Sequence, residues 1–155
     1  MQKPILLLWD SYKNCKMKDK QAPYAASHIS KFIPGIAWFF LVLTLVCIPG
    51  FDLPKVDSWL IEINFDKMIH VGLFAVLAYL FMYPLARINL SPKERWHYII
   101  KIAIATVIWG LTTEVIQKFF IPGRSFTLGD WLADSLGGII ALLFYKKRFL
   151  KTLKP

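Results

Sequence analysis

Residues 98–120 of the chain read YIIKIAIATVIWGLTTEVIQKFF, a long and mainly apolar run with a glutamate and a glutamine near its end. A helix of about 20 apolar residues, rising about 1.5 Å per residue, spans the roughly 30 Å hydrocarbon core of a bilayer. This stretch therefore predicts a transmembrane helix. It also carries two polar residues, Glu114 and Gln117, which are costly inside a membrane and usually have a function there.

Three further apolar runs lie on either side of this one, at residues 32–48, 68–86 and 131–145. Pro34 falls in the first turn of the first run, where a missing N–H is tolerated best. Pro84 lies near the end of the second run and predicts a kink there. Together the four runs predict an all-α polytopic membrane protein, a bundle of four transmembrane helices.

The composition agrees with a membrane protein, with 56% hydrophobic residues and a mean hydropathy of +0.47. The formal charge of +9 would suggest nucleic-acid binding if the basic residues shared one face of a soluble fold. They lie instead in short clusters between the apolar runs, so we expect no nucleic-acid partner. The two cysteines, Cys15 and Cys47, fall on opposite sides of the predicted membrane, so no disulfide is expected.

Loop charges predict the orientation of the bundle. Lysine and arginine are concentrated before residue 32, between residues 87 and 98, and after residue 145, whereas residues 51–65 hold three acidic residues and one lysine. The positive-inside rule then predicts four crossings with both termini in the cytoplasm of a bacterium, across its inner membrane. The predicted segments are a basic N-terminal stretch (1–31), the membrane domain (32–145) and a basic tail (146–155). A start at Met1 and one at Met17 both fit the sequence.

Polar residues recur on single helix faces near one end of three predicted helices. Spacings of three or four residues place each pair on one face, and the predicted topology brings all pairs to the outer end. We therefore predict an outward-facing ligand-binding pocket, open to the outer leaflet. Its predicted members are Asp66, Lys67, His70, Glu114, Gln117, Arg124, Asp130 and Asp134.

Several of these residues also have ordinary structural interpretations. Asp130 completes a capping-box pattern with Thr127 as the N-cap of the last helix, and Asp66 could cap the second helix. His70 alone fits a hydrogen-bonded core histidine, and Arg124 fits a solvated turn residue or a lipid-phosphate anchor. Glu114 is the hardest to explain without a partner. Small residues allow membrane helices to approach closely, which is how we interpret Gly72, Gly137 and Gly138.

Four short motifs together resemble the VanZ-like family of membrane proteins. They are D-K-x-x-H from residue 66, E-x-x-Q from residue 114, P-G-R from residue 122 and D-x-x-x-D-x-x-G from residue 130. The resemblance covers residues 32–145, and Asp134 stands where many members have asparagine. It implies a cell-envelope protein of a family whose founding member is associated with low-level resistance to teicoplanin, a lipoglycopeptide antibiotic that binds cell-wall precursors.

Three functions fit these observations. The first is a non-enzymatic protein that binds an anionic lipid-linked or amphiphilic ligand at the outer leaflet, with membrane lipids, a lipid-linked cell-wall precursor or a lipoglycopeptide as candidate partners. The second is a membrane enzyme acting on a lipid-linked phosphate or glycan, in which carboxylates and a histidine do acid–base work or hold a metal. The third is a structural role, with the polar cluster fixing helix packing. We assign no resident metal and no cofactor from the sequence, and leave catalysis and the oligomeric state open.

Overall fold

The computed structural model describes residues 30–49 and 65–150. The chain divides into two compact units, residues 1–33 and 34–155, and the fold described here is that of the second. The predictions made for Cys15, Met17, nearly all of the N-terminal segment and the acidic loop lie outside the described residues, as do the last five residues of the tail.

The described residues form four helices and no strand, which confirms the all-α prediction. They are α1 (Ile33–Val46), α2 (Phe65–Met82), α3 (Pro92–Phe120) and α4 (Leu128–Tyr145). Single 3₁₀ turns precede α1 and follow α2, at Ser30–Phe32 and Tyr83–Arg87, and a π-helical turn, Lys146–Leu150, continues α4.

Three of the helical segments are long and apolar enough to cross a bilayer, namely Phe65–Arg87, Pro92–Phe120 and Leu128–Phe149. The segment containing α1, Ser30–Val46, is apolar but shorter. Its length of about 25 Å falls somewhat short of a hydrocarbon core of about 30 Å. The fourth crossing, and with it the placement of both termini in the cytoplasm, therefore stays a prediction.

Two helix ends differ from the sequence prediction. The loop predicted over residues 87–98 is helical from Pro92, because Ser91 caps α3 in a reciprocal box with Glu94. The Ser-Pro-Lys-Glu pattern at residues 91–94 is the signal that the sequence reading missed. At the predicted kink, α2 ends at Met82 and the chain continues through the 3₁₀ turn that contains Pro84.

The bundle is built around α4, which packs mainly against α2 and also against α3. At Gly137 a Cβ would lie 2.6 Å from the backbone oxygen of Val71, so only glycine permits this approach. The prediction of a close contact holds for Gly137, and Gly138 packs at ordinary distance on Thr106. For Gly72 it is wrong, since no heavy atom of another described helix lies within 4 Å of the position that a Cβ would take.

Helix α1 joins the bundle through large side chains rather than close backbone contact. Trp38 donates its indole N–H to the backbone oxygen of Leu73 at 3.0 Å, and the rings of Phe39 and Trp109 lie 4.6 Å apart. Buried Val42 and Val46 pack in the same cluster as Phe74 and Leu77 of α2.

The distribution of polarity is the reverse of that in a soluble protein. Glu114 and Asp134 are fully buried, with 0% exposure, whereas Phe119 and Phe120 are 68% and 74% exposed. In a soluble protein both features would be costly, because large apolar side chains would be exposed to water and the buried carboxylates would have lost their hydration. A hydrocarbon surround favours this arrangement, with apolar side chains facing outward and polar groups facing one another.

The ends of the bundle differ in charge. At one end Lys146 lies over the ring of Trp96, which brings the end of α4 next to the start of α3. Arg95 donates to the backbone oxygens of Ile88 and Leu90 at the same end. We call this the basic end; its cations are Arg87, Lys93, Arg95, Lys146, Lys147 and Arg148. The predicted site residues lie at the opposite end, called here the polar end.

Candidate functional site

Interhelical contacts bring the predicted site residues of three helices together at the polar end. This end comprises the first turns of α2 and α4, the last turns of α3 and the turn that joins α3 to α4. The end of α1 reaches the same level, because Gln117 of α3 donates a long hydrogen bond of 3.5 Å to the backbone oxygen of Val46.

A short contact joins His70 of α2 to Asp134 of α4. Nδ1 of His70 lies 2.8 Å from Oδ1 of Asp134. Because a carboxylate oxygen only accepts, the ring N–H is the donor. Asp134 can reach this position because α3 has a glycine opposite it: a Cβ on Gly110 would lie 2.7 Å from Cβ of Asp134. The His70 side chain retains 16% exposure and so marks the open side of the contact.

Glu114 of α3 is tied to the start of α4. Its Oε2 accepts a hydrogen bond of 3.0 Å from the backbone N–H of Thr127. Thr127 is the N-cap of α4, as the sequence predicted, and its side chain accepts from the backbone N–H of Asp130. In a capping box the Asp130 side chain would return a bond to the N–H of Thr127. Glu114 takes that place instead.

Asp130 is thereby left available to Lys67. The Lys67 ammonium lies 3.8 Å from Oδ1 of Asp130 and 3.2 Å from Oδ2 of Asp66. At 3.8 Å, Lys67 and Asp130 form an ion pair but are too far apart for a hydrogen bond. The Lys67 stem crosses Gly129, where a Cβ would lie 2.8 Å from the Lys67 Cε. Asp66, largely exposed, contacts Lys67 rather than the buried part of the site.

Arg124 is placed by a tight turn between α3 and α4. The backbone N–H of Arg124 donates to the oxygen of Ile121 at 3.3 Å, with Pro122 and Gly123 between them. Gly123 has φ of 74°, and proline followed by such a glycine is the pattern of a type II turn. The Arg124 guanidinium is half-buried, and its Nε has no hydrogen-bond partner among the described residues.

Buried oxygen atoms without a hydrogen-bond partner distinguish this site from a satisfied polar core. Among the residues that the structure describes, these are Oε1 of Glu114, Oδ2 of Asp134 and Oδ1 of Asp130. Ligand atoms of His70, Glu114 and Asp134 all lie within 4.8 Å of one another, so these three residues are the group that could hold a metal ion.

The structure thus joins six of the eight predicted residues by direct contact or close approach: Asp66, Lys67, His70, Glu114, Asp130 and Asp134. Gln117 is buried on α3 but points to α1, and Arg124 lies in the turn between α3 and α4.

Sequence reasoning missed the part played by the Thr127 backbone and by Gly110. Neither has a side-chain signal, since one acts through its N–H and the other through a missing Cβ.

The family model described as VanZ/LLP1 matches residues 25–151, and the resemblance inferred from the four motifs is thereby confirmed. The search of curated proteins gives no match. The search of solved structures likewise gives none.

Proposed function

Because the chain belongs to the VanZ/LLP1 family and is a VanZ-like membrane protein, we propose that it binds the headgroup of an anionic amphiphile at the polar end of its bundle. In this proposal the polar end faces the outer leaflet of the bacterial inner membrane. The headgroup carries a phosphate or carboxylate, as in a lipid-linked cell-wall precursor, and the hydrocarbon chain stays in the bilayer beside α3 and α4.

The proposal rests on Arg124, whose buried Nε has no hydrogen-bond partner among the described residues. A guanidinium offers five donors in a fixed fork that matches a phosphate or a carboxylate. Arg124 is half-buried with an unpartnered Nε, and it takes part in none of the ion pairs of the described residues. It lies three residues before Thr127, hence no more than about 11 Å along the chain from the residue that Glu114 contacts. An anion bound here would satisfy the guanidinium.

The surroundings of Arg124 suit a ligand with an apolar tail. Phe119 and Phe120 end α3 just before the turn, and Leu128 begins α4 just after it; all three are largely exposed. An amphiphile is complementary to such a surface, because its charged headgroup lies next to its apolar tail. An anion without a tail would gain nothing from these side chains.

Charge limits where the anionic group of such a ligand can sit. The eight site residues include four carboxylates and two permanent cations, Lys67 and Arg124. A phosphate close to Glu114 or Asp134 would meet like charge, so we place it against the two cations at the rim. Hydroxyl or amine groups of the same ligand would donate to the carboxylates.

The test uses the full chain in nanodiscs of zwitterionic lipid, titrated with a fluorescent polyprenyl phosphate. Arg124→Ala should weaken binding at least tenfold, and Arg124→Lys should retain part of the affinity. Lys93→Ala is the control, because it removes the same charge from an exposed position at the basic end. Equal affinity of folded wild type and Arg124→Ala, with the control also unchanged, would overturn the proposal.

A link to glycopeptide resistance is a separate part of the proposal, supported by family membership alone. Expression of the wild type in a susceptible bacterium should raise the teicoplanin concentration needed to stop growth. Arg124→Ala, expressed at the same level, should not. A wild type that leaves susceptibility unchanged would remove this part and leave the binding proposal standing.

A structural role is the second candidate, favoured by a specific observation. Contacts of His70 with Asp134, Glu114 with Thr127 and Lys67 with Asp130 each join two helices or a helix and the next turn. If the cluster acts only in packing, all variants that fold normally should bind amphiphiles and affect susceptibility like the wild type. The Arg124 variants separate the two candidates, because Arg124 holds no helix pair together.

A further inference from the structure

We infer that His70, Glu114 and Asp134 form a binding site for one divalent transition-metal ion, of the Zn²⁺ or Mn²⁺ kind. The inference goes beyond the proposed function and does not depend on it, since it concerns the buried carboxylates and not the cations at the rim. It also departs from the sequence reading, which assigned no metal.

The geometry is the first support. The three residues come from three helices, and one ligand atom of each lies within 4.8 Å of the other two. Zinc binds imidazole nitrogen and carboxylate oxygen at about 2.0–2.2 Å, so two of its ligands stand about 3.4 Å apart. Closing the widest separation takes a movement of about 1.4 Å, which rotation of side chains can supply.

The second and independent support is that two buried carboxylate oxygens have no hydrogen-bond partner among the described residues. Glu114 and Asp134 have 0% exposure, yet Oε1 of the first and Oδ2 of the second have no hydrogen-bond partner among the described residues. A buried polar atom without a partner is costly, and a buried charge more so. A bound cation would satisfy both atoms at once.

One carboxylate of the group is oriented by a hydrogen bond from outside the group. The N–H of Thr127 holds Oε2 of Glu114, and metal-binding carboxylates are commonly held in this way by a second hydrogen bond. The contact of Nδ1 of His70 with Oδ1 of Asp134 joins two members of the group, so a metal held between these atoms would replace the Nδ1 proton, which moves to Nε2.

Charge balance points in the same direction. No permanent cation of the described residues forms an ion pair with Glu114 or Asp134. Lys67 pairs with Asp66 and Asp130 instead. Two buried carboxylates without a permanent counter-charge are expensive. A divalent ion would neutralise both, and the partly exposed ring of His70 marks the side from which it would enter.

The donor set selects the class of metal. One imidazole and two carboxylates suit zinc and manganese, whereas Mg²⁺ and Ca²⁺ prefer oxygen ligands alone. No cysteine belongs to the group, which argues against a thiolate site. Water would complete the coordination shell.

The experiment measures binding of the metal alone. The full chain, purified in detergent with an affinity tag free of histidine, is stripped with a chelator and titrated with Zn²⁺, Mn²⁺ and Mg²⁺. We expect one equivalent of Zn²⁺ or Mn²⁺ per chain, with Mg²⁺ at least tenfold weaker. A Co²⁺-loaded sample should show the visible absorption of a site with nitrogen and oxygen ligands.

Conservative variants locate the site. Glu114→Gln keeps an acceptor for the N–H of Thr127, and Asp134→Asn keeps one for His70, so each preserves its observed hydrogen bond while losing a charge. Each should weaken Zn²⁺ binding at least tenfold. His97→Gln is the control, since it removes an exposed histidine at the basic end, outside the group, and it should bind like the wild type.

The outcomes separate cleanly. Absence of stoichiometric metal in the wild type overturns the inference, and so does a preference for Mg²⁺ over Zn²⁺. Unchanged affinity in a folded Glu114→Gln or Asp134→Asn variant overturns it too. If one of these two does not fold, the other and the Co²⁺ spectrum of the wild type decide. Loss of amphiphile binding in Arg124→Ala bears only on the proposed function.

Discussion

The backbone N–H of Thr127 donates to Oε2 of Glu114 over 3.0 Å, so a side chain near the end of α3 completes the N-terminal cap of α4. The two residues are thirteen positions apart and lie on either side of the turn at Pro122 and Gly123. The bond closes this helical hairpin from the inside. It also means that a charged residue of the site takes part in the fold, so removal and conservative replacement of Glu114 should have different consequences.

Glu114→Ala should lower the free energy of unfolding in detergent by about 1–3 kcal/mol, because it leaves the partly buried Thr127 N–H without its acceptor. Glu114→Gln should be close to the wild type, since its side-chain oxygen can still accept that hydrogen bond. Thermal unfolding of the two variants, followed by tryptophan fluorescence in the presence of a chelator, measures the difference. Equal stability of the Ala and Gln variants would show that the bond to Thr127 contributes nothing.

Gly137→Ala should destabilise the bundle, whereas Gly72→Ala should not. At Gly137 the added methyl group would meet backbone atoms of Val71 and Ala75 at 2.6 and 2.8 Å, which forces α2 and α4 apart. Overpacking of this kind costs about 1–3 kcal/mol. Gly72 is exposed and its Cβ would meet open space, so alanine there should be neutral or slightly stabilising as a better helix former. The measurement is the unfolding midpoint of both variants in the same detergent; a loss at Gly72 equal to that at Gly137 would contradict the prediction.

The sequence predicted the helices and the residues of the polar end because both depend on local patterns. Apolar runs of sufficient length identify membrane helices, and spacings of three or four residues put Asp66 with His70 and Asp130 with Asp134 on single faces. The start of α3 was missed although Ser91 and Glu94 carry a capping box, because the charges of that segment resemble those of a loop.

Contacts between helices could not be predicted in the same way. Gly72 and Gly137 look alike in the sequence, and only the rotation of each helix about its axis decides which one faces a neighbour. The pairing of His70 with Asp134 rather than Asp130 depends on that rotation as well. Helix rotation also decides that Glu114, and not Asp130, accepts the hydrogen bond from Thr127. This bond requires the end of α3 to meet the start of α4.

The membrane orientation can be tested with a native residue. Cys47 follows the last residue of α1 at the polar end and is an exposed, free thiol. If the basic end faces the cytoplasm, a membrane-impermeant maleimide should label Cys47 in intact spheroplasts of a Cys15→Ser variant. The control carries Cys15→Ser, Cys47→Ser and Asn89→Cys, which moves the thiol to an exposed position at the basic end. It should react only after the membrane is permeabilised; the opposite pattern would invert the predicted topology.

The contact between His70 and Asp134 should show a non-additive response to mutation. His70→Ala removes the donor and leaves Asp134, with no exposed surface, without a partner for either oxygen among the described residues. Removing one member of a buried pair costs about 3–5 kcal/mol, because the remaining charge is uncompensated. Asp134→Ala should cost less, about 1–3 kcal/mol, since His70 is partly exposed and can donate to water.

The double variant His70→Ala/Asp134→Ala should then be more stable than His70→Ala alone, because the second substitution removes the uncompensated carboxylate. Alanine at position 134 keeps the Cβ that packs on Gly110, so the helix contact is preserved. Denaturant unfolding of all four proteins, with a chelator present so that no metal contributes, gives the coupling between the two residues. If the effects of the two substitutions simply add, the residues do not act as a pair, and the hydrogen bond between them does not contribute to the stability of the polar end.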